Sequence, residues 1–289
     1  METSELLKKV RKIEIKTKGI SKELFSGEYH SAFKGRGMSF SEVRDYQIGD
    51  DVRNIEWNVT ARTGVPHVKV FEEERELTVM LLVDVSPSSM FGTHAYIRRD
   101  LITEIAAILA YSAMSNNDKV GMILFADEVK MYIPPKKGKK HILRIIRELI
   151  EQPSEGVNTN VSEALQYFSN LVKKKSICFV ISDFFTSDFD KALQVAARRH
   201  DIVGMHLHDP FEKSLPFAGL LQVMDAETCQ RLVVDTHDRS IRKAHEEAFA
   251  KKEFNLQNLF NRCGADLLSL DARESYIIAL HRFFKKRAR

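Results

Sequence analysis

The chain has 289 residues, and its 44 Lys and Arg residues outnumber its 40 Asp and Glu residues by only four. With 44% apolar and 29% charged residues the composition is that of a globular protein, which excludes a disordered or fibrous chain. The small, dispersed basic excess argues against nucleic acid as a partner. No apolar run approaches the ~20 residues that a membrane-spanning helix needs.

The cysteines and the N-terminus indicate the cellular setting. The three cysteines, Cys178, Cys229 and Cys263, form no CxxC pair and no even disulfide framework, which is typical of a reduced, intracellular protein. The basic residues near the N-terminus are not followed by the apolar stretch and small-residue cleavage site of a secretory signal. We therefore expect a cytoplasmic protein.

The sequence changes character near residue 76, which predicts two parts. Apolar residues at helical spacing indicate a short helix near the start, at Leu6, Leu7, Val10 and Ile13. A polar, turn-rich segment then leads to an extended stretch from Pro66 to Glu72. Residues 1–75 are therefore predicted to form an N-terminal helix and a small β-rich appendage, and residues 76–289 to form the main domain.

In the second part, short apolar segments alternate with segments of helical periodicity. The predicted strands are Leu77–Val83, Val120–Phe125, Val129–Ile133, Ile177–Ile181, Ile202–Leu207 and Ala265–Leu270. The predicted helices are Leu101–Met114, His141–Ile150, Val161–Leu171, Phe189–Arg199, Ile241–Arg262 and Tyr276–Phe284. Pro134 and Pro135 are expected to end the third strand, and Leu220–Val234 to form an inserted β-hairpin. The alternation predicts an α/β fold with a doubly wound, mostly parallel, Rossmann-type sheet.

Polar side chains follow two of the predicted strands. In an open parallel sheet, ligands bind beyond the carboxyl ends of the strands, where the strand order reverses. Asp84, Ser86 and Ser88 follow the first strand of the sheet, and Asp183 follows a later one. Thr159 lies between them in a loop that opens a helix. If the two strands are neighbours, these five side chains, called the oxygen cluster below, converge on one spot.

The chemistry of the oxygen cluster predicts its ligand. Its donors are all oxygens, with no thiol or imidazole, which favours a hard cation over Zn²⁺ or Cu²⁺. Mg²⁺ is the expected ion, with Mn²⁺ or Ca²⁺ as alternatives. Two carboxylates balance a divalent charge, and hydroxyls complete the coordination. Such a site keeps one open position, where a carboxylate from another protein would bind.

The spacing Asp84-x-Ser86-x-Ser88, with Thr159 before a helix and Asp183 after a later strand, resembles the metal-ion-dependent adhesion site of von Willebrand factor A domains. The resemblance implies a von Willebrand factor A-like fold in the second part of the chain. It also implies that the oxygen cluster holds the metal, and that an acidic residue of a partner completes the coordination.

Within this resemblance, which covers roughly residues 76–270, one position differs. Many adhesion sites carry glycine where this chain carries Pro87, which fixes φ and removes an amide donor. We expect metal binding to persist. The competing interpretation is that Ser86 and Ser88 only cap the turn, while Asp84 hydrogen-bonds backbone amides.

A longer pattern lies in the first part of the chain. It reads Arg44-x-Tyr46-x-x-Gly49-Asp50-Asp51-x-Arg53-x-Ile55-x-Trp57, followed by Ala61-Arg62 and Phe71-Glu-Glu-Glu-Arg75. This pattern resembles the bacterial "domain of unknown function 58" family, which has an A-type domain and is commonly encoded beside MoxR-type AAA+ ATPases. The resemblance implies a MoxR-type ATPase as partner, together with a client protein that offers a carboxylate.

The same segment allows two interpretations. Its charged and aromatic side chains form either a docking surface for the ATPase or an internal ion-pair network that fixes the appendage to the A-type domain. The network, with Trp57 as its apolar anchor, is favoured because mixed charges beside a tryptophan usually describe a folded seam. The residues concerned are Arg44, Tyr46, Asp50, Asp51, Arg53, Trp57 and Arg62.

Two other features allow alternatives. His206 and His208 have possible zinc spacing, but no further Cys or His lies close by to complete a tetrahedral set. A structural or partner-facing role is favoured for the adjacent segment Asp209-Pro210-x-Glu212.

The basic tail Arg282–Arg289 is expected to be a solvated surface, with peripheral contact to an anionic membrane as the alternative.

Three functions compete. The favoured one is a metal-dependent binding module that acts as adaptor or co-chaperone of a MoxR-type ATPase in complex assembly or remodelling. The second is a Mg²⁺-dependent phosphotransferase or hydrolase, but Ser86 stands where an aspartyl phosphatase needs a second carboxylate, and the phosphate-loop, dinucleotide and nucleophile-elbow motifs are missing. The third is a scaffold that binds no metal. We therefore expect a protein that is not an enzyme.

Overall fold

The computed structural model describes residues 10–17, 20, 39–72, 77–93, 97–153, 158–186, 188–224 and 230–287. Its internal contacts divide the chain into two compact units. The smaller unit is Lys34–Leu77, and the larger unit combines Met1–Phe33 with Thr78–Arg289.

This division differs from the predicted boundary at the N-terminus, where the sequence groups the first helix with the appendage. Residues 10–17 are helical and belong to the larger unit. Lys16 pairs with Glu104 at 2.6 Å, and Glu14 pairs with Lys139 at 2.6 Å. These ion pairs, together with burial of Val10, hold the helical segment against the larger unit.

The smaller unit is built on a two-stranded antiparallel sheet. Its elements are β1 (Ser39–Asp45), a 3₁₀ turn (Val52–Asn54), helix α1 (Trp57–Thr63) and β2 (His67–Glu72). Glu56 caps the start of α1, and Gly64 ends it with a φ of 74°, a conformation that favours glycine. The sequence analysis predicts the extended stretch of β2 but not α1, because a helix this short shows no apolar periodicity.

The larger unit contains the predicted alternation of strands and helices. Its strands are β3 (Thr78–Asp84), β4 (Lys119–Phe125), β5 (Val129–Lys136), β6 (Ile177–Ser182), β7 (Asp201–His208), β8 (Leu220–Met224), β9 (Arg231–Asp235) and β10 (Asp266–Asp271). Its helices are α2 (Arg98–Ser115), α3 (Lys139–Glu151), α4 (Val161–Leu171), α5 (Asp190–Arg199), α6 (Pro210–Lys213), α7 (Arg239–Cys263) and α8 (Tyr276–Arg287), and a 3₁₀ turn spans Pro87–Met90. Strands β8 and β9 form the predicted hairpin, whose turn at residues 225–229 lies outside the described residues.

The other six strands form one sheet in the order β10-β7-β6-β3-β4-β5. All neighbours are parallel except β4 and β5. From β3 the chain adds β4 and β5 on one side, and then adds β6, β7 and β10 on the other. The strand order therefore reverses between β3 and β6. This confirms the predicted α/β fold with a doubly wound, mostly parallel sheet.

The central strands are buried on both faces. Met80 and Leu82 of β3 pack into a core formed with α4, α5 and α7. The alternate residues, Leu81 and Val83, point to the opposite face, where α2 packs against β3 and β4. Burial on both faces explains why these strands appear in the sequence as continuous apolar runs.

The predicted end of the third strand is wrong. Strand β5 continues through Pro134 and Pro135 to Lys136. It lies at the edge of the sheet, and its pairing with β4 shifts register between Ile133 and Lys136. Proline is tolerated at a bulge of an edge strand because its missing N–H is not needed by a neighbour there.

Gly204 in the middle of β7 permits close packing of α7, and this generates a stability prediction. A Cβ atom at Gly204 would lie 2.5 Å from the ring of buried Phe260. We expect Gly204→Ala to lower the free energy of unfolding by about 1–3 kcal/mol, measured by urea denaturation. Phe260→Leu removes the obstructing ring, so adding Gly204→Ala to that variant should cost less. Additive losses in the double variant would contradict this packing argument.

Candidate functional site

The oxygen cluster begins at the end of β3. Asp84 is the last residue of β3 and is 3% exposed, and Ser86 is fully buried. The backbone amide of Ser86 donates to Asp84 Oδ1 at 2.9 Å, and Ser86 Oγ lies 3.0 Å from Ser88 Oγ. Adjacent oxygen ligands of an octahedral Mg²⁺ ion are also about 3 Å apart, because each metal–oxygen distance is about 2.1 Å. The serine pair therefore has a spacing that suits one small cation.

Pro87 fits the local backbone. It occupies the start of the 3₁₀ turn Pro87–Met90, with Ser86 as the residue before the turn. Proline suits such a start because its φ is already appropriate and the missing amide would have no partner within the turn. The loop therefore does not need a glycine-only conformation at this position.

Asp183 follows β6, the strand beside β3. Ser182 Oγ donates to Asp84 Oδ2 at 2.6 Å, which joins the ends of the two strands. Asp183 is buried, and its Oδ1 accepts a hydrogen bond from the amide of Phe185 at 3.0 Å. Between them Phe184 has a φ of 50°, a left-handed conformation that is strained for a residue with a side chain. This strained turn fixes the direction of the Asp183 carboxylate.

The loop that carries Thr159 is attached to both neighbours of β3. The amide of Asn160 donates to the carbonyl of Ala126, directly after β4, at 2.7 Å. The hydroxyl of Thr186, beyond the end of β6, donates to the carbonyl of Thr159. The loop therefore crosses the carboxyl end of β3. Thr159 is buried, and its hydroxyl has no hydrogen-bond partner among the described residues.

The two carboxylates of the oxygen cluster interact electrostatically. Burial, and then the charge of Asp183, raise the pKa of Asp84 to about 6. Burial is the largest single influence on Asp183 and opposes its ionisation, but the guanidinium of Arg98 and several weaker influences together outweigh burial and lower the pKa of Asp183. The amide of Phe185 and the hydroxyl of Ser88 act in the same direction as Arg98. One carboxylate of the pair is thus compensated by an internal cation, and the other is not.

Arg98, which begins α2, supplies that internal cation. It is 5% exposed, and its Nη1 donates to Asp183 Oδ2 at 2.7 Å and to the carbonyl of Ser88 at 3.1 Å. Its Nη2 donates to Glu212 Oε2 at 2.5 Å. The sequence does not predict a role for this residue, because its two acidic partners lie 85 and 114 positions away in the chain and no spacing marks them.

The segment that begins at Asp209 has a structural role. The Asp209 carboxylate caps α6 and accepts hydrogen bonds from the amide and the hydroxyl of Thr93. Glu212 accepts from the backbone amide of Asp209 at 2.7 Å, which completes a capping box. Both carboxylates are therefore fixed, and Glu212 holds its position beside Arg98.

The two histidines of β7 are buried, and their ring centroids are 5.3 Å apart. Burial lowers the pKa of both rings, that of His206 to about 3. Across the part of the chain that the structure describes, no three His, Cys, Asp or Glu side chains are placed to hold a metal together. The zinc alternative thus has no structural support. The oxygen cluster, with two carboxylates and three hydroxyls, is a different kind of site.

The donor set of the oxygen cluster fits a divalent cation. Thr159 provides a buried hydroxyl that needs a partner, the serine pair has a suitable spacing, and Asp84 carries an uncompensated charge. Asp183 is the exception, because Arg98 already satisfies one of its oxygens. Asp84, the two serines and Thr159 are therefore the residues best suited to contact an ion directly.

The charged segment of the smaller unit forms short-range ion pairs. Arg44 contacts both carboxylate oxygens of Asp50, at 2.8 and 2.7 Å, and Arg53 pairs with Asp51 at 2.7 Å. Trp57 is 66% exposed. The smaller unit therefore does not bury this side chain itself, and the role of Trp57 as an apolar anchor of a seam stays a prediction.

The basic C-terminal helix packs on the larger unit. Phe284 is fully buried in α8, and Arg287 pairs with Asp201 and, at 3.3 Å, with Asp266. None of the helices among the described residues combines the length and apolar character needed to cross a bilayer.

A doubly wound sheet with Asp84, Ser86 and Ser88 directly after its central strand defines a von Willebrand factor A-like protein. The family model described as "Protein of unknown function DUF58" matches residues 42–255, and the chain belongs to this family. The predicted family is thereby confirmed.

Similar proteins cover most of the chain. A protein of Mycobacterium bovis, named only as uncharacterised, is 29% identical over 286 residues, which are 97% of this chain and 89% of that protein. The crystal structure of BatB from Bacteroides thetaiotaomicron is 17% identical with a TM-score of 0.48, and covers 73% of this chain and 98% of its own. The SpRpn10 VWA domain is 11% identical with a TM-score of 0.43, and the match covers 70% of this chain and 92% of that domain.

The raised pKa of Asp84 predicts a pH-dependent stability. Folded Asp84 retains a proton up to about pH 6, whereas the unfolded chain releases it near 3.8, so stability falls as the pH rises between these values. In metal-free protein we expect Asp84→Asn to raise the free energy of unfolding by about 1–3 kcal/mol near pH 7, with little effect near pH 4. Urea denaturation in EDTA at both pH values measures this. An equal effect at both would contradict it.

Proposed function

We propose that this protein is a metal-dependent protein-binding module. The oxygen cluster holds Mg²⁺, or Mn²⁺ or Ca²⁺ in its place, and the bound ion receives a carboxylate from a partner protein. The observation that carries the proposal is the meeting of buried carboxylates and hydroxyls at the point where the strand order reverses, with the hydroxyl of Thr159 left without a partner among the described residues.

Four residues of the oxygen cluster have the same role in this proposal, and a neighbouring residue positions one of them. Asp84, Ser86, Ser88 and Thr159 would contact the ion. Ser182 holds Asp84 Oδ2 at 2.6 Å and so fixes the plane of that carboxylate before an ion arrives. When bound, the ion supplies a positive centre that attracts an anionic group. The chain's own contribution is a rigid, largely buried set of oxygens.

Charge complementarity supports a carboxylate as the incoming group. Around Arg98 and the oxygen cluster, three carboxylates face two cations, which leaves one net negative charge. The groups are Asp84, Asp183, Glu212, Arg98 and Lys252. A divalent ion changes this net charge from −1 to +1, and an incoming carboxylate then restores neutrality.

Space for a partner exists beside the cluster. A cavity of about 300 Å³ borders Asp183 and is also lined by Phe185, Phe249 and Lys252. Phe185 is exposed, and the Lys252 ammonium lies 4.4 Å from its ring centroid. This volume accommodates a large side chain adjacent to the partner's carboxylate.

We further propose that the module is an adaptor between a MoxR-type AAA+ ATPase and a client protein. Membership in the family supports this, since the family pattern implies the ATPase, and the smaller unit supports it independently. Its ion pairs are made within the unit, yet it exposes the large apolar side chains of Ile48, Val52 and Trp57. Exposed apolar residues rimmed by charges are typical of docking surfaces.

Metal binding is tested by thermal melting of EDTA-treated protein with added Mg²⁺. At about a hundredfold excess over its dissociation constant, Mg²⁺ should add about 2.7 kcal/mol to the free energy of unfolding. Thr159→Val keeps the shape but removes one ligand, so the dissociation constant should rise about tenfold. Asp84→Ala should abolish the effect of Mg²⁺ while the protein stays folded.

The matched control is Ser169→Ala in α4, which removes another buried hydroxyl that has no hydrogen-bond partner in the described part of the chain. Its affinity for Mg²⁺ should equal that of the wild type. If wild-type protein shows no response to Mg²⁺, Mn²⁺ or Ca²⁺, the metal-dependent function is refuted and the metal-free scaffold takes its place.

The docking surface is tested by capture of a MoxR-type ATPase from the same organism. Trp57→Ala should reduce the amount of ATPase retained by the immobilised protein about tenfold or more, because exposed tryptophans dominate interface energies. Its response to Mg²⁺ should be unchanged. The control is Phe254→Ala in α7, an aromatic side chain that is also 66% exposed. Equal capture by wild type and both variants would refute this docking surface.

A further inference from the structure

We infer that Arg98 is a built-in competitor of the metal: by holding Asp183 in a buried ion pair, it lowers the affinity of the oxygen cluster for divalent cations. This inference concerns the same site as the proposed function and rests on it. It adds a positioning residue that sets how tightly the cluster binds an ion.

The guanidinium of Arg98 reaches two of the three loops that carry the cluster. One nitrogen, Nη1, contacts Asp183 after β6 and the carbonyl of Ser88 after β3. Because Arg98 is almost completely buried, salt and water screen its charge only weakly. An arriving divalent ion therefore meets a fixed positive charge beside its binding position.

Both carboxylate oxygens of Asp183 already accept a hydrogen bond. Its Oδ2 accepts from Arg98 at 2.7 Å, and its Oδ1 accepts from the amide of Phe185 at 3.0 Å. Each oxygen keeps a second lone pair, but an ion that binds Asp183 directly competes with these charge-assisted hydrogen bonds for the same negative charge. Arg98 consequently opposes metal binding in two ways, by repulsion and by occupying a ligand.

Glu212 limits the effect of Arg98. Its Oε2 accepts from Arg98 Nη2 at 2.5 Å, and the same oxygen accepts from the amide of Asp209 at 2.7 Å. The capping box of α6 thus holds one negative charge against the guanidinium. Removing Glu212 would leave the full charge of Arg98 facing the oxygen cluster. The two residues should therefore change metal affinity in opposite directions.

The experiment measures the dissociation constant of Mg²⁺ by calorimetric titration of the full, EDTA-treated chain, together with the melting temperature without metal. Arg98→Met should tighten Mg²⁺ binding about tenfold and lower the metal-free melting temperature, since two carboxylates lose their partner. Glu212→Gln, which can still accept from Asp209, should weaken binding about threefold or more.

The matched controls use an exposed ion pair of α3. Arg147 pairs with Glu151 at 2.9 Å, and both side chains are largely in solvent. Arg147→Met and Glu151→Gln change the net charge by the same amounts as the two test variants. Both should leave the dissociation constant unchanged, because solvent screens their charges.

A double variant separates positioning from a general effect on the fold. If Arg98 acts through Asp183, then adding Arg98→Met to Asp183→Asn should change Mg²⁺ affinity less than adding it to the wild type. If Arg98→Met fails to fold, Arg98→Lys and Glu212→Gln decide the question. Lysine keeps the positive charge but cannot bridge two carboxylates, so Arg98→Lys should tighten Mg²⁺ binding by a smaller factor than Arg98→Met.

The outcomes are distinguishable. Equal Mg²⁺ affinity in wild type and Arg98→Met overturns the inference and leaves the proposed function intact. Binding by Arg98→Met alone supports the inference and refutes metal dependence of the natural protein. Absence of binding in every variant overturns both, and tighter binding in Arg98→Met with weaker binding in Glu212→Gln supports both.

Discussion

The parallel pairing of β3 with β6 is the constraint on which the site depends. It places Asp84 and Asp183 at the same end of neighbouring strands, and Ser182, 98 residues from Asp84 in sequence, bonds directly to it. Burial, and then the charge of the neighbouring Asp183, raise the pKa of Asp84 to about 6. The hydrogen bonds and the ion pair of the site offset this concentration of negative charge.

Different groups compensate the two carboxylates. Among the described residues Asp84 accepts hydrogen bonds from neutral groups such as the Ser86 amide and the Ser182 hydroxyl, whereas Asp183 accepts from the guanidinium of Arg98. A guanidinium adds the attraction of a full positive charge to its hydrogen bond, which an amide or a hydroxyl cannot supply. The asymmetry leaves Asp84 as the carboxylate with the greater need for a cation, which is why the proposed metal is centred on Asp84 and the serines.

The strands and the polar residues that follow them can be predicted from the sequence for a physical reason. Strands β3 and β6 are buried on both faces and so appear as continuous apolar runs, and in a parallel sheet the residues after such strands meet at one edge. The role of Arg98 cannot be predicted from the sequence, because its ion pairs join distant parts of the chain and leave no periodic signal. The path of β5 through Pro134 depends on its edge position, which only the strand order reveals.

The smaller unit shows a different limit of sequence reasoning. In the sequence, charged residues beside Trp57 suggest a seam between two parts of the chain. In the structure, the ion pairs join residues only a few positions apart, and Trp57 is 66% exposed. Covering a tryptophan contributes far more to binding than a surface ion pair does. The exposed tryptophan is therefore the observation that supports the proposed docking surface, and it is independent of the charge argument at the oxygen cluster.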